Sequence, residues 1–473
     1  MGTINSAYAL ISGALNADQE ALSVVANNVA NANTPGYTEE TPDWQENQAI
    51  TVGGVSIGDG VSETGATSQR DLVLEQRLNQ QQQLASASGT RLTALNDMQA
   101  LFTPDSGSSS ATAGDIGSDI TNFFDSFSSL ESDPTDNALR QSVLSSASTL
   151  AGDISGAAAS LNSQSTALNQ EASGVASQVN SLTGAIAQLN QQIQSTSPDA
   201  DAGTLEDQRQ QDLSQLSQLV GINQVTTENN GLSITTTSGQ LLVSEGSNYQ
   251  LTTGTVNGVT DFFLGGTDIT SDLRTGGGEL GGYLTARDQD IPDALSSLDQ
   301  LADSISTEVN AQNNSGTDLD GVSGTAANPL YIFNQPGAVA GSAAGMKVAM
   351  TDPNQIAAAG AGDGTGDNSN AVSMASLAKQ PIVNGQTPIN QYSSFVSTLG
   401  STVLQVQTEN TAQNASVTQL QTQNNALSSV NLNDEAAAMS TMESSYQAAS
   451  QVFTMLNTIM ASALNLGEQA TVS

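Results

Sequence analysis

The sequence has no cysteine and no histidine, one tryptophan, and only nine lysines and arginines among 473 residues. Without cysteine there are no disulfides, no thiolate metal sites and no thiol catalysis. Without histidine the commonest general base and metal ligand is missing. These absences argue against ordinary hydrolases and zinc enzymes, and leave carboxylate chemistry and calcium binding open. Against the nine cations stand 47 acidic residues, a net charge of −38, so neither nucleic acid nor an anionic membrane is an expected partner. Aromatics make up 4% and hydrophobic residues 37% of the chain, which suits an elongated molecule held by aliphatic seams. The length suggests two to four domains. No run of 18 apolar residues occurs, so no membrane-spanning helix is expected. The opening MGTINSAYALISGALNADQ has no cation ahead of an apolar core and does not read as a secretory signal peptide.

What is present is patterned. Near the start, Ile4, Tyr8, Ile11, Leu15, Leu22, Val25, Val29 and Ala32 follow a heptad rhythm, interrupted once by Asp18. An asparagine-rich stretch, Asn27, Asn28, Asn31 and Asn33, leads into Thr34-Pro35-Gly36-Tyr37, where a helix must stop. A frayed helix end and a turn account for this equally well. Near the end, Met439, Met442, Tyr446, Ala449, Phe453, Leu456, Met460 and Ala463 alternate three and four apart, and Glu443 is the one charge between Ala436 and Leu466. Asn431 or Asn433 can cap this helix, with Asp434 and Glu435 in its first turn. Each seam wants a partner. The ends form a coiled coil within the chain, or stay loose until subunits pack.

The middle holds a third heptad run from Ala147 to Ile193, a rod of about 70 Å. Gly152, Gly156, Gly174 and Gly184 weaken it, so it needs lateral support from helices expected near 70–102, 204–220, 288–312 and 390–429. Pro198 and Gly203 end the run, and Leu205 to Leu219 returns antiparallel. From Ile222 the period becomes alternating, with hairpin signals at Ser238-Gly239 and Asn257-Gly258. The expected organisation is mainly α with β insertions, elongated and multi-domain. Residues 1–36 with 435–473 make a terminal coiled coil. Residues 37–221, 283–316 and 390–434 make a long-helix bundle stalk. Residues 222–282 make a small outward β domain, and 317–389 a second, Gly- and Pro-rich β module with strands at Leu330–Phe333 and Met346–Met350.

Other motifs carry less. Gly276, Gly278 and Gly281 fit G-x-G-x-x-G without a surrounding βαβ unit, and read as a hinge returning from the β domain. Asp363 with Asp367, and Asp318 with Asp320, lack a complete EF-hand loop and read as solvated acidic loops. Trp44 is expected to pack beside the N-terminal helix. No Walker sequence or G-x-S-x-G occurs, so no catalytic residue, cofactor site or metal ligand is assigned.

The stretch ALNADQEALSVVANNVANANTPGY (14–37) resembles the N-terminal signature of the flagellar axial proteins, the rod, hook and hook-associated subunits. The ending SSVNLNDEAAAMSTMESSYQAASQVFTMLNTIMASALNL (428–466) resembles their C-terminal signature. Segments 123–154, 277–310 and 367–378 resemble the interior of the hook-associated branch, which rod and hook proteins lack. The resemblance implies a non-enzymatic structural adaptor at the hook–filament junction, extracellular and exported through the flagellar type III channel without a cleaved signal peptide. It implies contact with copies of itself in a ring, with hook protein below, and with the next hook-associated protein or filament side above. It also implies a cytoplasmic export chaperone on the C-terminal helix. It places assembly contacts on Ile4, Ile11, Leu15, Leu22, Val25, Val29, Met439, Met442, Tyr446, Phe453, Leu456 and Met460, with Asn27 to Tyr37 as the axial motif. Thr38, Glu39 and Glu40 stand where the family usually has a basic residue and Gln, and the last helix lacks the family's arginines.

Overall fold

Residues 2–52, 55–102, 115–197, 201–256 and 258–469 are described by a computed structural model of the chain. Asn257 of the expected hairpin turn and Pro198, expected to end the long helix, lie outside them, as does the side chain of Ile4. Helix α1 (Gly2–Asn31) is followed by a region that the sequence reading assigned to the helical stalk. It forms strands instead: β1 (Glu40–Glu46), β2 (Ile50–Val52), β3 (Val55–Ile57) and β4 (Val61–Ser68). β1 pairs antiparallel with β4 and β2 with β3. Trp44 sits on β1 at a register shift and is 49% exposed.

Three helices then build the body. α2 (Leu72–Ala100) is capped by Asp71, whose Oδ1 accepts from the backbone N–H of Val73 at 2.9 Å and Leu74 at 3.1 Å. α3 (Ile116–Leu130) is capped by Asp115. α4 (Asn137–Thr196) runs for 60 residues, about 90 Å, starting ten residues before the heptad pattern does. Its cap is Asp136, which accepts from Ala138 at 2.7 Å. Nothing within 4 Å would meet a side chain at Gly152, Gly156 or Gly174, so packing does not require these glycines.

α5 (Thr204–Leu219) returns along α4, and the β domain follows: β5 (Ile222–Thr226), β6 (Leu232–Thr236), β7 (Leu241–Ser244) and β8 (Ser247–Asn248) form one antiparallel sheet in sequence order. β9 (Leu251–Val256), β10 (Val259–Leu264) and β11 (Thr267–Asp268) form a second. Both Gly239 and Gly258 take positive φ, as their turns require. α6 (Thr270–Gly276), α7 (Gly278–Thr285) and a π-helical turn (Ala286–Asp290) lead into α8 (Ile291–Ser315). The glycine triplet is a close crossing rather than a nucleotide loop. A Cβ on Gly276 would lie 2.7 Å from Thr237 Oγ1, one on Gly278 2.4 Å from the backbone N of Val220, and one on Gly281 3.1 Å from the carbonyl of Leu273.

The chain closes with α9 (Ser342–Gly345), α10 (Ser369–Ser376), α11 (Pro388–Ser428) and α12 (Leu432–Gln469). The expected β module at 317–389 has no named strand; isolated bridges such as Phe333–Val348 stand in its place. Two buried asparagines of α8 explain this. Asn310 exchanges two hydrogen bonds with the backbone of Phe333, at 2.9 and 3.0 Å. Asn313 donates to Leu330 O at 2.7 Å and accepts from Ala357 N at 2.9 Å. Side-chain amides thus satisfy main-chain groups that a strand would otherwise pair. On α4, Asn180 binds both backbone groups of Leu251, and Asn190 binds the carbonyls of Leu232 and Glu245, docking the β domain onto the long helix.

Two apolar cores share α4. The first gathers Phe123, Phe124 and Phe127 of α3, the α4 residues from Val143 to Leu168, Leu298 and Ile305 of α8, Phe333, and Leu399 and Val403 of α11. The second gathers Ala172 to Ala187 of α4 with Leu213, Leu216, Ile234, Val243, Phe262 and Leu280. Arg140, fully buried near the start of α4, donates to the carbonyls of Pro134 at 2.6 and 2.8 Å and Ile356 at 2.5 Å, fastening the irregular segment to the helical body.

Candidate assembly interface

The two ends of the chain meet. α1 packs along α12, and β1 and β4 lie against α1. Tyr8 and Phe453 stack with ring centroids 4.8 Å apart. The α12 seam faces α1: Met439, Met442, Phe453, Leu456 and Met460 are half-buried, while Tyr446 remains 39% exposed. On α1 the half-buried residues include Ile11, Leu15 and Leu22, but the buried line runs through Ala17, Ala21, Val25 and Asn28. Val29, expected on the seam, is 40% exposed. The strict heptad drifts around a straight helix, and the position beside the partner falls to Asn28. The small residues Ala17 and Ala21 were missed; their spacing of four ahead of Val25 is the signal that could have found them. A second stripe on α12, Val452, Met455 and Ile459, is exposed, Met455 by 63%.

The axial motif makes the joint between this helix pair and the stalk. Tyr37 N donates to Thr34 O at 3.2 Å across Pro35 and Gly36, and Gly36 has φ +80, which gives a type II turn. Asn31 donates to both oxygens of Asn27, at 3.1 and 2.8 Å, and accepts from the Thr34 hydroxyl at 3.2 Å. Asn33, Thr34, Pro35 and Gly36 are exposed.

Asn28 is the centre. It is 1% exposed, and its amide makes four hydrogen bonds. Nδ2 donates to Glu40 O and to Glu435 Oε1, both at 2.8 Å. Oδ1 accepts from Tyr37 Oη at 2.8 Å and from Glu40 N at 3.0 Å. That is the full capacity of an asparagine side chain. Around it, Glu39 N donates to Ser428 O at 2.9 Å, and Thr38 N donates to Asp207 Oδ2 at 3.1 Å. Asp207 also holds Arg70 at 2.6 Å.

The joint is rich in carboxylates. Burial and the neighbouring Asp201 and Asp207 raise the Glu40 carboxyl above its ordinary range, against the pull of Arg70. Burial pushes Glu75 of α2 up to about 7. Burial also raises Tyr37 and Glu435, the latter despite its bond from Asn28. Among the described residues no group of three or more His, Cys, Asp or Glu side chains could hold a metal ion. The acidic loops are spent on turns: Asp367 Oδ2 accepts from Gly360 N at 2.8 Å and Ser369 N at 3.1 Å, and Asp318 Oδ1 from Val322 N at 2.7 Å. No described helix is long and apolar enough to cross a membrane.

Paired terminal helices, one long helical spine and small sheets docked on it define an elongated structural subunit. A family model described as the flagellar hook-associated protein FlgK helical domain matches residues 105–327, and one described as flagella basal body rod protein matches residues 11–38. Flagellar hook-associated protein 1 of Salmonella typhimurium is 26% identical over 550 residues, covering 96% of this chain and 98% of that protein. The Bacillus subtilis protein of the same name is 26% identical over 509 residues, covering 96% of each. The solved flagellar hook junction protein FlgK from Burkholderia pseudomallei aligns with TM-score 0.64 at 20% identity, covering 73% of this chain and 99% of that one, a likeness of fold. Over residues 105–327 the chain matches the hook-associated helical-domain family, and along nearly its whole length it is similar to flagellar hook-associated protein 1.

Proposed function

We propose that this chain is a structural adaptor subunit of the bacterial flagellum, forming the hook–filament junction and allowing filament assembly. The observation that carries this reading is the pairing of both chain ends into one helix pair that hangs from the stalk at the Asn28 joint, with the Val452, Met455 and Ile459 stripe left uncovered. An apolar stripe of this kind gains from burial against further helices.

In this reading copies form a ring at the distal end of the hook, with hook protein below and the next hook-associated protein or filament side above. Residues 1–36 and 435–473 form the inner layer. The helical body (37–221, 283–316 and 390–434) forms an outer stalk, from which 222–282 and the strand-poor 317–389 face outward. Ile11, Leu15, Leu22 and Val25 hold the pair together with Met439, Met442, Phe453, Leu456 and Met460. Exposed Val29 and Tyr446 reach neighbouring copies. The subunit is exported through the flagellar channel, a chaperone holds α12 beforehand, and no catalytic role is assigned. The rod-type match at 11–38 favours, as a second reading, another axial subunit such as a distal rod or hook protein; that subunit would polymerise extensively on its own. Removing residues 440–473 tests the role of the ends: the expected result is a folded body that fails to assemble or be secreted, and normal filaments from that truncation would contradict it.

A further inference from the structure

Among the described residues six asparagines are fully buried: Asn28, Asn79, Asn190, Asn310, Asn313 and Asn370. Five of them stand on helices and hold a non-helical stretch of main chain. Asn28 donates to Glu40 O at 2.8 Å, Asn190 to Leu232 O at 2.8 Å, and Asn310 to Phe333 O at 2.9 Å. Asn313 donates to Leu330 O at 2.7 Å and Asn370 to Ala357 O at 2.6 Å. Asn28, Asn310 and Asn313 also accept from a backbone N–H, that of Glu40, Phe333 and Ala357. A primary amide carries both a donor and an acceptor, so it can satisfy both groups of a passing peptide.

Asn79 of α2 is the sixth. It is 3% exposed, and neither Nδ2 nor Oδ1 has a hydrogen-bond partner. A buried amide left in that state is unfavourable. Asn79 lines a cleft of about 600 Å³ between α2, α5 and the end of α11, bordered by Thr34 to Thr38 of the axial motif. Asn424 of α11 lines the same cleft, and its buried Oδ1 also has no partner. The charged groups of the lining are Glu75 and Asp207, with no lysine or arginine among them. Asp207 is paired with Arg70 at 2.6 Å, whereas Glu75, 4% exposed, has no salt bridge among the described residues. The cleft therefore offers open amide groups beside one uncompensated carboxyl.

We propose that this cleft docks an extended, basic peptide segment of another protein, with Asn79 holding its main chain and Glu75 its cationic side chain. Asn79 does for that segment what Asn28 and Asn310 do for segments of their own chain. Main-chain bonds give such a site its grip, and the charge opposite Glu75 selects the guest. A second copy of this chain, with a net charge of −38, is a poor source of a basic segment, so the guest is a different protein. Bound there, it lies against the axial motif, where the paired ends join the body.

The test pans random seven-residue peptides displayed on phage against the immobilised full-length chain. Enriched peptides are synthesised and titrated by fluorescence anisotropy. The expected peptides carry lysine or arginine, bind the Asn79→Leu chain at least tenfold more weakly than the parent, and bind Glu75→Gln several-fold more weakly. Asn79→Leu leaves the net charge at −38, so its loss of binding separates the cleft from general attraction to an acidic surface. Leucine is of similar size and strands no polar atom, so the melting temperature of that variant should hold or rise. Equal binding by parent and Asn79→Leu, an enriched set without cations, failure of any peptide to enrich, or a melting temperature several degrees lower in Asn79→Leu would each overturn the docking site. The isolated chain is titrated, so the result is separate from its place in the flagellum.

Discussion

Asn28 Nδ2 lies 2.8 Å from Glu435 Oε1, so one buried hydrogen bond ties positions 407 apart in the chain. The same amide holds the strand that leads away from α1, through Glu40. One residue of the axial motif therefore fixes three directions at once: the end of α1, the start of α12 and the path into the stalk.

Replacing Asn28 with alanine strands the Tyr37 hydroxyl, both backbone groups of Glu40 and the Glu435 carboxylate. The expected cost is about 3 kcal/mol, confined to the terminal unit. Hydrogen exchange should quicken along α1 and α12 while α3, α4 and α8 keep their protection. Equal quickening in the first core would contradict a local role.

Glu75 gives a pH prediction. It is 4% exposed, and burial raises it to about 7 from an ordinary 4.5, with Arg70 opposing and Asp207, Glu206 and Asp71 adding to the rise. The folded chain then holds a proton that the unfolded chain releases between pH 4.5 and 7. Stability falls across that window and levels above it, by at most about 3 kcal/mol. Glu75→Gln should flatten the decline and raise the melting temperature at pH 8 by a few degrees. A decline of unchanged slope in that variant would place its origin elsewhere.

Two glycine substitutions should act in opposite directions. Gly278 has φ +72, and an added Cβ would lie 2.4 Å from Val220 N, so Gly278→Ala should lower the denaturation midpoint sharply or abolish folding. Gly156 lies within α4 with nothing within 4 Å of an added Cβ, so Gly156→Ala should stabilise by about 1 kcal/mol. Comparing the two denaturation midpoints checks both; a destabilised Gly156→Ala would show that the long helix needs its glycines.

Much of this architecture was legible where one periodicity dominates. The α12 seam and the long α4 announced themselves because every third or fourth position is apolar, and the β domain because Leu232 to Ser244 alternates around a Ser-Gly turn. The seam of α1 was legible only in part. Its buried line uses Ala17, Ala21 and Asn28, residues that an apolar pattern does not register. Strands β1 and β4 escaped because ETPDWQE and VSETGATS carry proline, glycine and acid where strands usually alternate. Segment 317–389 was misread for the converse reason: its short apolar runs look like strands, yet Asn310 and Asn313 of α8 supply the pairing that makes a ladder unnecessary. The seams allow the two ends to pair, but nothing in the sequence says that Asn28 and Glu435 meet where they join.

The central claim is a place at the junction between hook and filament. Electron microscopy of cells deleted for this chain, with the culture medium probed for flagellin, tests it most directly. The predicted result is hooks without filaments and flagellin lost to the medium. Full filaments on the deleted cells would contradict it, and cells lacking hooks altogether would move the subunit down the axis to rod or hook.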